Sequence, residues 1–315
     1  MANVTARSSA HDRNHSKWAT AASGWSGMNK QGAARVRLEV VPSPDLLTQL
    51  PAIFASSGSV SVTCLPHHGP KRTVETAVGL ARLGYRTIPH LAARSISGQA
   101  ELHSLLRQLQ DAGLSELFLV AGDRRTPAGP YSWSGHLLEA VKEFSSDFSA
   151  GVAGYPEGHP ELSREQLVHN LVSKAPMASS LVTQMCFSAE AINRYLRSLR
   201  ENGVNLPVWV GVPGPVSTKK LLTMGARLGV GRSLKLARRT GMTGALWRRG
   251  DFLNYDSGRL IRDIHRKVAG HPLFAGFHVY TFNDFQRLPN LLSGLPQQAM
   301  LLPGNTAGPS FPAKI

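Results

Sequence analysis

Short apolar runs alternate with longer segments of helical periodicity along most of the chain. Runs of five or six apolar and β-branched residues are typical of buried strands, whereas apolar residues repeated every three or four positions indicate amphipathic helices. The predicted strands are residues 36–41, 59–64, 86–91, 116–121, 150–154, 180–185, 207–212 and 276–280. The predicted helices between them are residues 73–83, 99–112, 135–144, 165–174, 190–201 and 217–227.

Eight strands that alternate with helices predict an α/β fold with a parallel sheet closed into a (β/α)8 TIM barrel. An open doubly wound sheet is the alternative, but no G-x-G-x-x-G follows the first predicted strand. The interval from residue 217 to 275 exceeds one helix and predicts extra helices, or a loop over the barrel mouth, between strands 7 and 8. The predicted organisation is a flexible leader at 1–32, a catalytic barrel at 33–300 and a C-terminal tail at 301–315.

Composition narrows the class of protein further. Of 315 residues, 42% are hydrophobic and 17% charged, which is ordinary for a globular chain and excludes a disordered one. No apolar stretch approaches the roughly 20 residues that a membrane helix needs, so no membrane partner is expected. The leader lacks an apolar core for secretion, although a transit peptide is possible on composition. Only Cys64 and Cys186 are present, and we expect a reduced, cytoplasmic protein.

Polar residues at the ends of the predicted strands are the candidates for chemistry. In a barrel the loops that follow the strands build the ligand site, so these side chains are directed at one face. Every strand except the last supplies such a candidate. The residues found in this way are Glu39, Thr63, His90, Gly122, Asp123, Tyr155, His159 and Gln184, with the Pro-Gly-Pro turn at 213–215 after the seventh strand.

Each candidate also has a structural interpretation. Glu39 lies within an apolar strand, so it must be paired, protonated or directed into a cavity. Asp123 precedes Arg124 and could be a turn residue with basic neighbours. His90 and His159 could each be structural. No histidine or cysteine spacing matches a metal site, so no metal is expected.

Several phrases resemble, in order and spacing, those of the methylenetetrahydrofolate reductase family. The most specific are Tyr-Pro-Glu-Gly-His-Pro-Glu at 155–161 and Thr-Gln at 183–184. Weaker ones lie at 38–42, 60–63, 89–91, 122–123, 174, 213–214 and 278–283, so that the resemblance runs from about residue 35 to residue 283. The family is a flavin-containing (β/α)8 barrel, which agrees with the predicted fold.

The resemblance implies reduction of 5,10-methylenetetrahydrofolate to 5-methyltetrahydrofolate by NADH or NADPH through bound FAD, within one-carbon metabolism and methionine biosynthesis. Glu39 would match the general acid that protonates N10. Asp123 would match the acid that binds the pterin and tunes the flavin, and Gln184 the amide that contacts folate. The residues that would match the FAD site are Thr63, His90, Gly122, Tyr155, His159 and Lys174.

The chain departs from the family pattern at four other positions. Ala121 stands where an arginine is usual, Leu167 where an acid is usual, and Leu221 and Gly225 where a glutamine and a phenylalanine are usual. Flavin binding is therefore expected to be weaker, and direct hydride transfer from nicotinamide is an alternative. Oxidation in the reverse direction and a catalytically silent folate or anion-binding barrel are further alternatives, and a homo-oligomer is possible.

A basic segment contributes much of the net charge of +15. Residues 203–250 contain no Asp or Glu, while residues 219–249 contain nine Lys and Arg. This segment is either a solvated face or a funnel for the polyanionic folate tail or a nicotinamide phosphate. Trp247 is the one aromatic residue within 219–249 and supplies no stacking platform, so a nucleic-acid partner is not expected.

Overall fold

The computed structural model describes residues 35–216, 257–293 and 295, and these form a closed barrel of eight parallel strands. Each strand pairs with the next along the chain, and β8 pairs with β1, which excludes the open sheet. The predicted (β/α)8 barrel is confirmed. The strands are β1 Val36–Val40, β2 Ser59–Val62, β3 Arg86–Ala92, β4 Glu116–Val120, β5 Ser149–Gly154, β6 Ser180–Thr183, β7 Val208–Pro213 and β8 Phe274–Tyr280.

Helices follow the strands on the outside of the barrel. The five predicted helices that fall on described residues are present, and α2 begins four residues earlier than predicted because Pro70 fits its first turn. The helices are α1 Leu46–Gln49, α2 Gly69–Arg82, α3 Gln99–Asp111, α4 Ser134–Phe144, α5 Arg164–Lys174, α6 Ala189–Glu201, α7 Ser257–Val268 and α8 Leu288–Ser293. None of the helices in the described ranges is both long and apolar enough to span a bilayer.

The interval between β7 and β8 contains one described helix, α7, which packs against α6. The predicted helix at 217–227, the basic segment at 219–249 and the leader and tail lie outside the described residues.

The strands divide their side chains between two cores. Leu38 and Val40 of β1 are fully buried in the layer between the sheet and the helices. Because successive side chains on a strand point to opposite faces, Arg37 and Glu39 point into the barrel. Arg37 is buried at the lower end, with its guanidinium 4.2 Å from the Trp209 ring. Glu39 lies one layer closer to the mouth, where the strands end.

Candidate active site

Glu39 lies inside the barrel and contacts imidazoles from two other strands. Its Oε2 lies within hydrogen-bond distance of Nε2 of His278, at 2.9 Å, and 3.8 Å from Nε2 of His90. His278 is fully buried, whereas 13% of the Glu39 side chain is exposed. The barrel therefore brings together an acid from β1 and histidines from β3 and β8.

His278 corrects the expectation that the last strand supplies no site residue. His278 and Tyr280 are two positions apart in an otherwise apolar strand, so both lie on its inner face. The Tyr280 hydroxyl donates to the Thr183 carbonyl oxygen at 3.0 Å, and its ring packs against the His278 ring. The signal was available in the sequence, because a histidine within a buried strand is as unusual as Glu39.

Burial sets the protonation of these three groups. Burial raises the pKa of Glu39 to about 7, and the His90 imidazole opposes that rise. Burial lowers the pKa of His90 to about 4 and places the pKa of His278 well below its usual range. Both imidazoles are therefore neutral at pH 7, while the carboxyl exchanges a proton near neutral pH. Such a group suits general acid catalysis.

His90 belongs to the Glu39 layer of the barrel. Its Nε2 lies 2.6 Å from the Ser61 hydroxyl, and its ring meets Phe118 edge to face. The resemblance implied a flavin contact for His90, and the structure places its Nε2 between Ser61 and Glu39. Sequence reasoning missed Ser61, because nothing in a run of small and apolar residues marks one serine as a partner.

Three other predicted residues line one cavity of about 580 Å³ beside the mouth. Tyr155 and His159 come from the loop after β5, and their rings pack edge to face. Lys174 comes from the last turn of α5. Ala121 and Leu167, the two departures that fall on described residues, line the same cavity. The structure therefore groups the predicted cofactor residues with the positions that lack a polar group.

Lys174 is a buried cation on the wall of this cavity. Its Nζ donates to the Ser134 hydroxyl at 3.2 Å and lies 5.7 Å from the centre of the Trp133 ring. Burial lowers the pKa of Lys174 to about 8. A cation held in this way is a ready donor for an anionic or hydroxyl-bearing ligand.

Thr63 follows β2 and has a buried hydroxyl without a hydrogen-bond partner in the described part of the chain. Both backbone polar groups of Thr63 are hydrogen-bonded: its N–H donates to the Val40 carbonyl oxygen, and its carbonyl oxygen accepts from the Thr73 hydroxyl. Buried polar atoms are nearly always satisfied, so an orphan of this kind needs a reason. A hydrogen bond to a ligand would supply one.

The remaining candidates follow β4 and β6. Gly122 adopts φ +86°, a conformation that favours glycine, and turns the chain toward the exposed Asp123. Burial of Tyr155 is the main cause that raises its pKa, and the negative charge of Asp123 adds to the rise. Asp123 therefore lies close enough to act on a residue of the cavity. The side-chain oxygen of Gln184 accepts from the Met185 N–H at 2.8 Å, which leaves its amide nitrogen as a donor.

Glu157, the third residue of the phrase at 155–161, has a structural role. Its Oε1 accepts from the backbone N–H groups of Phe187 and Ser188, at 3.0 and 3.1 Å. Ser188 caps α6, so the carboxylate ties the loop after β5 to the start of that helix. Burial raises the pKa of Glu157, and the two backbone donors oppose the rise.

Within residues 35–216, 257–293 and 295, no group of three His, Cys, Asp or Glu side chains has an arrangement that could hold a metal ion. Leu221 and Gly225, the other two departures, lie outside those ranges.

The family model described as methylenetetrahydrofolate reductase matches residues 56–232, more than half of the chain. The chain belongs to the methylenetetrahydrofolate reductase family. The matched segment begins after β1 and ends before β8, so Glu39 and His278 lie outside it. Their contact is a finding of the barrel geometry and does not come from the family match.

Curated methylenetetrahydrofolate reductases resemble the chain at low identity. A probable methylenetetrahydrofolate reductase (NADPH) of Caenorhabditis elegans is 27% identical over 177 residues, which are 50% of this chain and 26% of the relative. Methylenetetrahydrofolate reductase 2 of Saccharomyces cerevisiae is 23% identical over 214 residues, or 64% and 35% of the two chains. The matches thus span about a quarter to a third of the length of these relatives.

A solved structure shares the fold. It is an uncharacterized protein from Clostridium thermocellum, described as binding two copies of 5-methyl-5,6,7,8-tetrahydrofolic acid. The two barrels superpose with a TM-score of 0.59 at 13% identity, over 82% of this chain and 92% of the other.

The raised pKa of Glu39 predicts a pH-dependent stability. The folded protein retains the Glu39 proton up to about pH 7, whereas the unfolded chain releases it near pH 4.5. The unfolding free energy of the wild type therefore falls as the pH rises between those values. We expect the unfolding free energy of Glu39→Gln, relative to wild type, to rise by on the order of 3 kcal/mol from about pH 4 to about pH 8. Chemical denaturation at several pH values measures this difference.

Glu75→Gln is the matched control for that measurement. Glu75 lies on α2 with 46% of its side chain exposed, so its substitution should leave the pH profile of stability unchanged. A difference between Glu39→Gln and wild type that stays constant with pH would contradict the raised pKa.

Proposed function

We propose that the protein catalyses the NAD(P)H-dependent reduction of 5,10-methylenetetrahydrofolate to 5-methyltetrahydrofolate. The observation that carries this proposal is the Glu39 carboxyl, partly exposed inside the barrel of a methylenetetrahydrofolate reductase family member and protonated near neutral pH. The folate bound by the Clostridium thermocellum protein of the same fold supports a folate ligand.

The reaction needs an acid before it needs a hydride. The substrate carbon bridges N5 and N10, and it becomes electrophilic when the bond to N10 breaks. Glu39 gives its proton to N10, the bonding electron pair moves onto N10, and an iminium ion remains at N5. A hydride then adds to that carbon, and a methyl group results. A carboxyl with a pKa near 7 holds the required proton under ordinary conditions.

Asp123 and Gln184 are proposed to hold the folate. Asp123 is exposed beside the mouth and can accept hydrogen bonds from the pterin, while the Gln184 amide nitrogen can donate one. Neither group needs to change its charge during the reaction. They orient the ring so that N10 faces Glu39, which is the contribution that positioned groups make to a rate.

The cavity supports FAD as the cofactor. The buried Lys174 ammonium and a volume of about 580 Å³ fit a large ligand with anionic and hydroxyl groups. The orphan Thr63 hydroxyl, at the end of β2, is proposed as a separate hydrogen-bonding group for that ligand. When bound, FAD would carry the hydride from NADH or NADPH to the folate carbon. The residues proposed to hold it are Thr63, His90, Gly122, Asp123, Tyr155, His159 and Lys174.

Direct hydride transfer from nicotinamide, without flavin, is the second candidate. The observation that favours it is the apolar wall of the cavity at Ala121 and Leu167, which offers no charged contact to a cofactor. Both candidates use the same acid, and the reverse oxidation would use the same group as a base.

Substitution of Glu39 separates the acid step from hydride supply. In Glu39→Gln we expect turnover of methylenetetrahydrofolate to fall by about 10²-fold or more, the usual scale of general acid catalysis, because the amide has no proton to give. Reduction of bound FAD by NAD(P)H should continue at the wild-type rate. Stopped-flow and steady-state assays measure the two parts, with Glu75→Gln as the control that changes neither.

Equal losses in both half-reactions of Glu39→Gln would contradict an acid role and indicate a structural one. A wild-type turnover in a folded Glu39→Gln variant would contradict the proposal as a whole.

Substitution of Thr63 tests the cofactor. Thr63→Val removes a hydroxyl that has no partner, so we expect the ligand-free protein to keep its stability. FAD affinity should fall by about tenfold, the scale of one hydrogen bond, when flavin fluorescence is titrated with stripped protein. The matched control is Thr73→Val, whose lost hydroxyl bonds the Thr63 carbonyl oxygen and which should destabilise the fold. Unchanged FAD affinity in Thr63→Val would contradict a flavin contact there.

A further inference from the structure

His278 has no part in the reaction as proposed so far, although among the described residues it alone has a side-chain atom within hydrogen-bond distance of the Glu39 carboxyl. Its ring is fully buried, its Nε2 lies 2.9 Å from Oε2 of Glu39, and its Nδ1 has no partner in the described part of the chain. Within the described part of the chain, Nε2 is therefore the ring nitrogen that has a hydrogen-bond partner, and that partner is the Glu39 carboxyl.

The position of the ring proton follows from these contacts. The imidazole is neutral, so one nitrogen carries a hydrogen and the other a lone pair. Buried N–H groups without an acceptor are the rarer kind of orphan, so the bare nitrogen is Nδ1. The hydrogen then lies on Nε2 and is donated to Glu39 Oε2.

The other groups around the carboxyl do not compete for this role. His90 on β3 directs its Nε2 to the Ser61 hydroxyl at 2.6 Å, against 3.8 Å to Glu39. Tyr280 on β8 donates its hydroxyl to the Thr183 carbonyl oxygen. Arg37, the cation of the same strand, lies one layer below and pairs with Glu116 at 3.7 Å.

The two oxygens of the Glu39 carboxyl are therefore unequal. Oε2 accepts from His278, and Oε1 has no hydrogen bond within residues 35–216, 257–293 and 295. A protonated carboxyl places its hydrogen on the oxygen that is not already accepting one. The transferable proton is thus on Oε1.

We propose that His278 is the positioning residue of Glu39: its Nε2–H holds Oε2 as the accepting oxygen and leaves Oε1 to carry the proton and present it to the ligand. The nature of that ligand rests on the proposed function. The tautomer of His278 and the arrangement of the carboxyl do not, and they are measurable without folate or nicotinamide.

Two variants of His278 test this in the ligand-free protein. His278→Gln keeps a nitrogen donor near the position of Nε2, whereas His278→Met keeps the volume and loses the donor. The donor stabilises the ionised carboxyl, so its loss should raise the pKa of Glu39 by about one unit or more in His278→Met. His278→Gln should stay close to wild type. Carbon-13 NMR of labelled glutamate carboxyls follows the titration, and Glu39→Gln identifies the signal.

A merely structural role would lower the melting temperature of both variants without moving this titration. An unchanged Glu39 pKa in a folded His278→Met variant would therefore overturn the proposal. If His278→Met fails to fold, nitrogen-15 NMR of the wild-type imidazoles decides the matter. A bare Nδ1 and a protonated Nε2 support the proposal, and the opposite tautomer overturns it.

These readouts separate the two proposals. Suppose that the wild-type protein forms no 5-methyltetrahydrofolate, while His278 carries its proton on Nε2 and the Glu39 pKa rises in His278→Met. That result would contradict the proposed function alone. A reversed tautomer in an active enzyme would contradict the positioning role alone.

Discussion

The hydrogen bond between Glu39 and His278 depends on closure of the barrel, because the two residues are 239 positions apart in the chain. They meet where β8 pairs with β1 and completes the sheet. The same junction is fixed above the pair, where the Thr281 hydroxyl donates to the Glu39 carbonyl oxygen at 2.6 Å. The Asn283 side chain then bonds both the N–H and the carbonyl oxygen of Val41. Proper pairing of the first and last strands is thus a condition for the acid to exist in its perturbed form.

The barrel separates two tasks in space. Its interior holds the acid and two neutral imidazoles, where burial rather than a nearby anion raises the pKa of Glu39. The loops after β4 and β5, together with α5 and α6, form a cavity with the Lys174 cation on its wall. Glu157 ties the loop after β5 to the start of α6 through the backbone N–H groups of Phe187 and Ser188. Ala121 and Leu167 line this cavity, whereas Glu39 is not among its lining residues.

Much of this arrangement was predictable from the sequence, because it follows from local patterns. All eight strands were predicted, since buried parallel strands are continuous apolar runs and their periodicity differs from that of helices. Glu39 was predicted as an exception within such a run. The partners of Glu39 were harder to predict, because the register across the β1 and β8 junction decides that His278 faces it. Ser61 carries no local signal, and the role of Glu157 depends on a contact 30 positions away.

The proposed activity of this site is conversion of 5,10-methylenetetrahydrofolate into 5-methyltetrahydrofolate. The most direct measurement incubates the full chain with FAD, NADH or NADPH and methylenetetrahydrofolate without oxygen, and separates the folates by chromatography. We expect one 5-methyltetrahydrofolate to form for each NAD(P)H oxidised. A folded protein that binds the folate and forms no 5-methyltetrahydrofolate with either nucleotide, and no methylenetetrahydrofolate in the reverse assay, would contradict it.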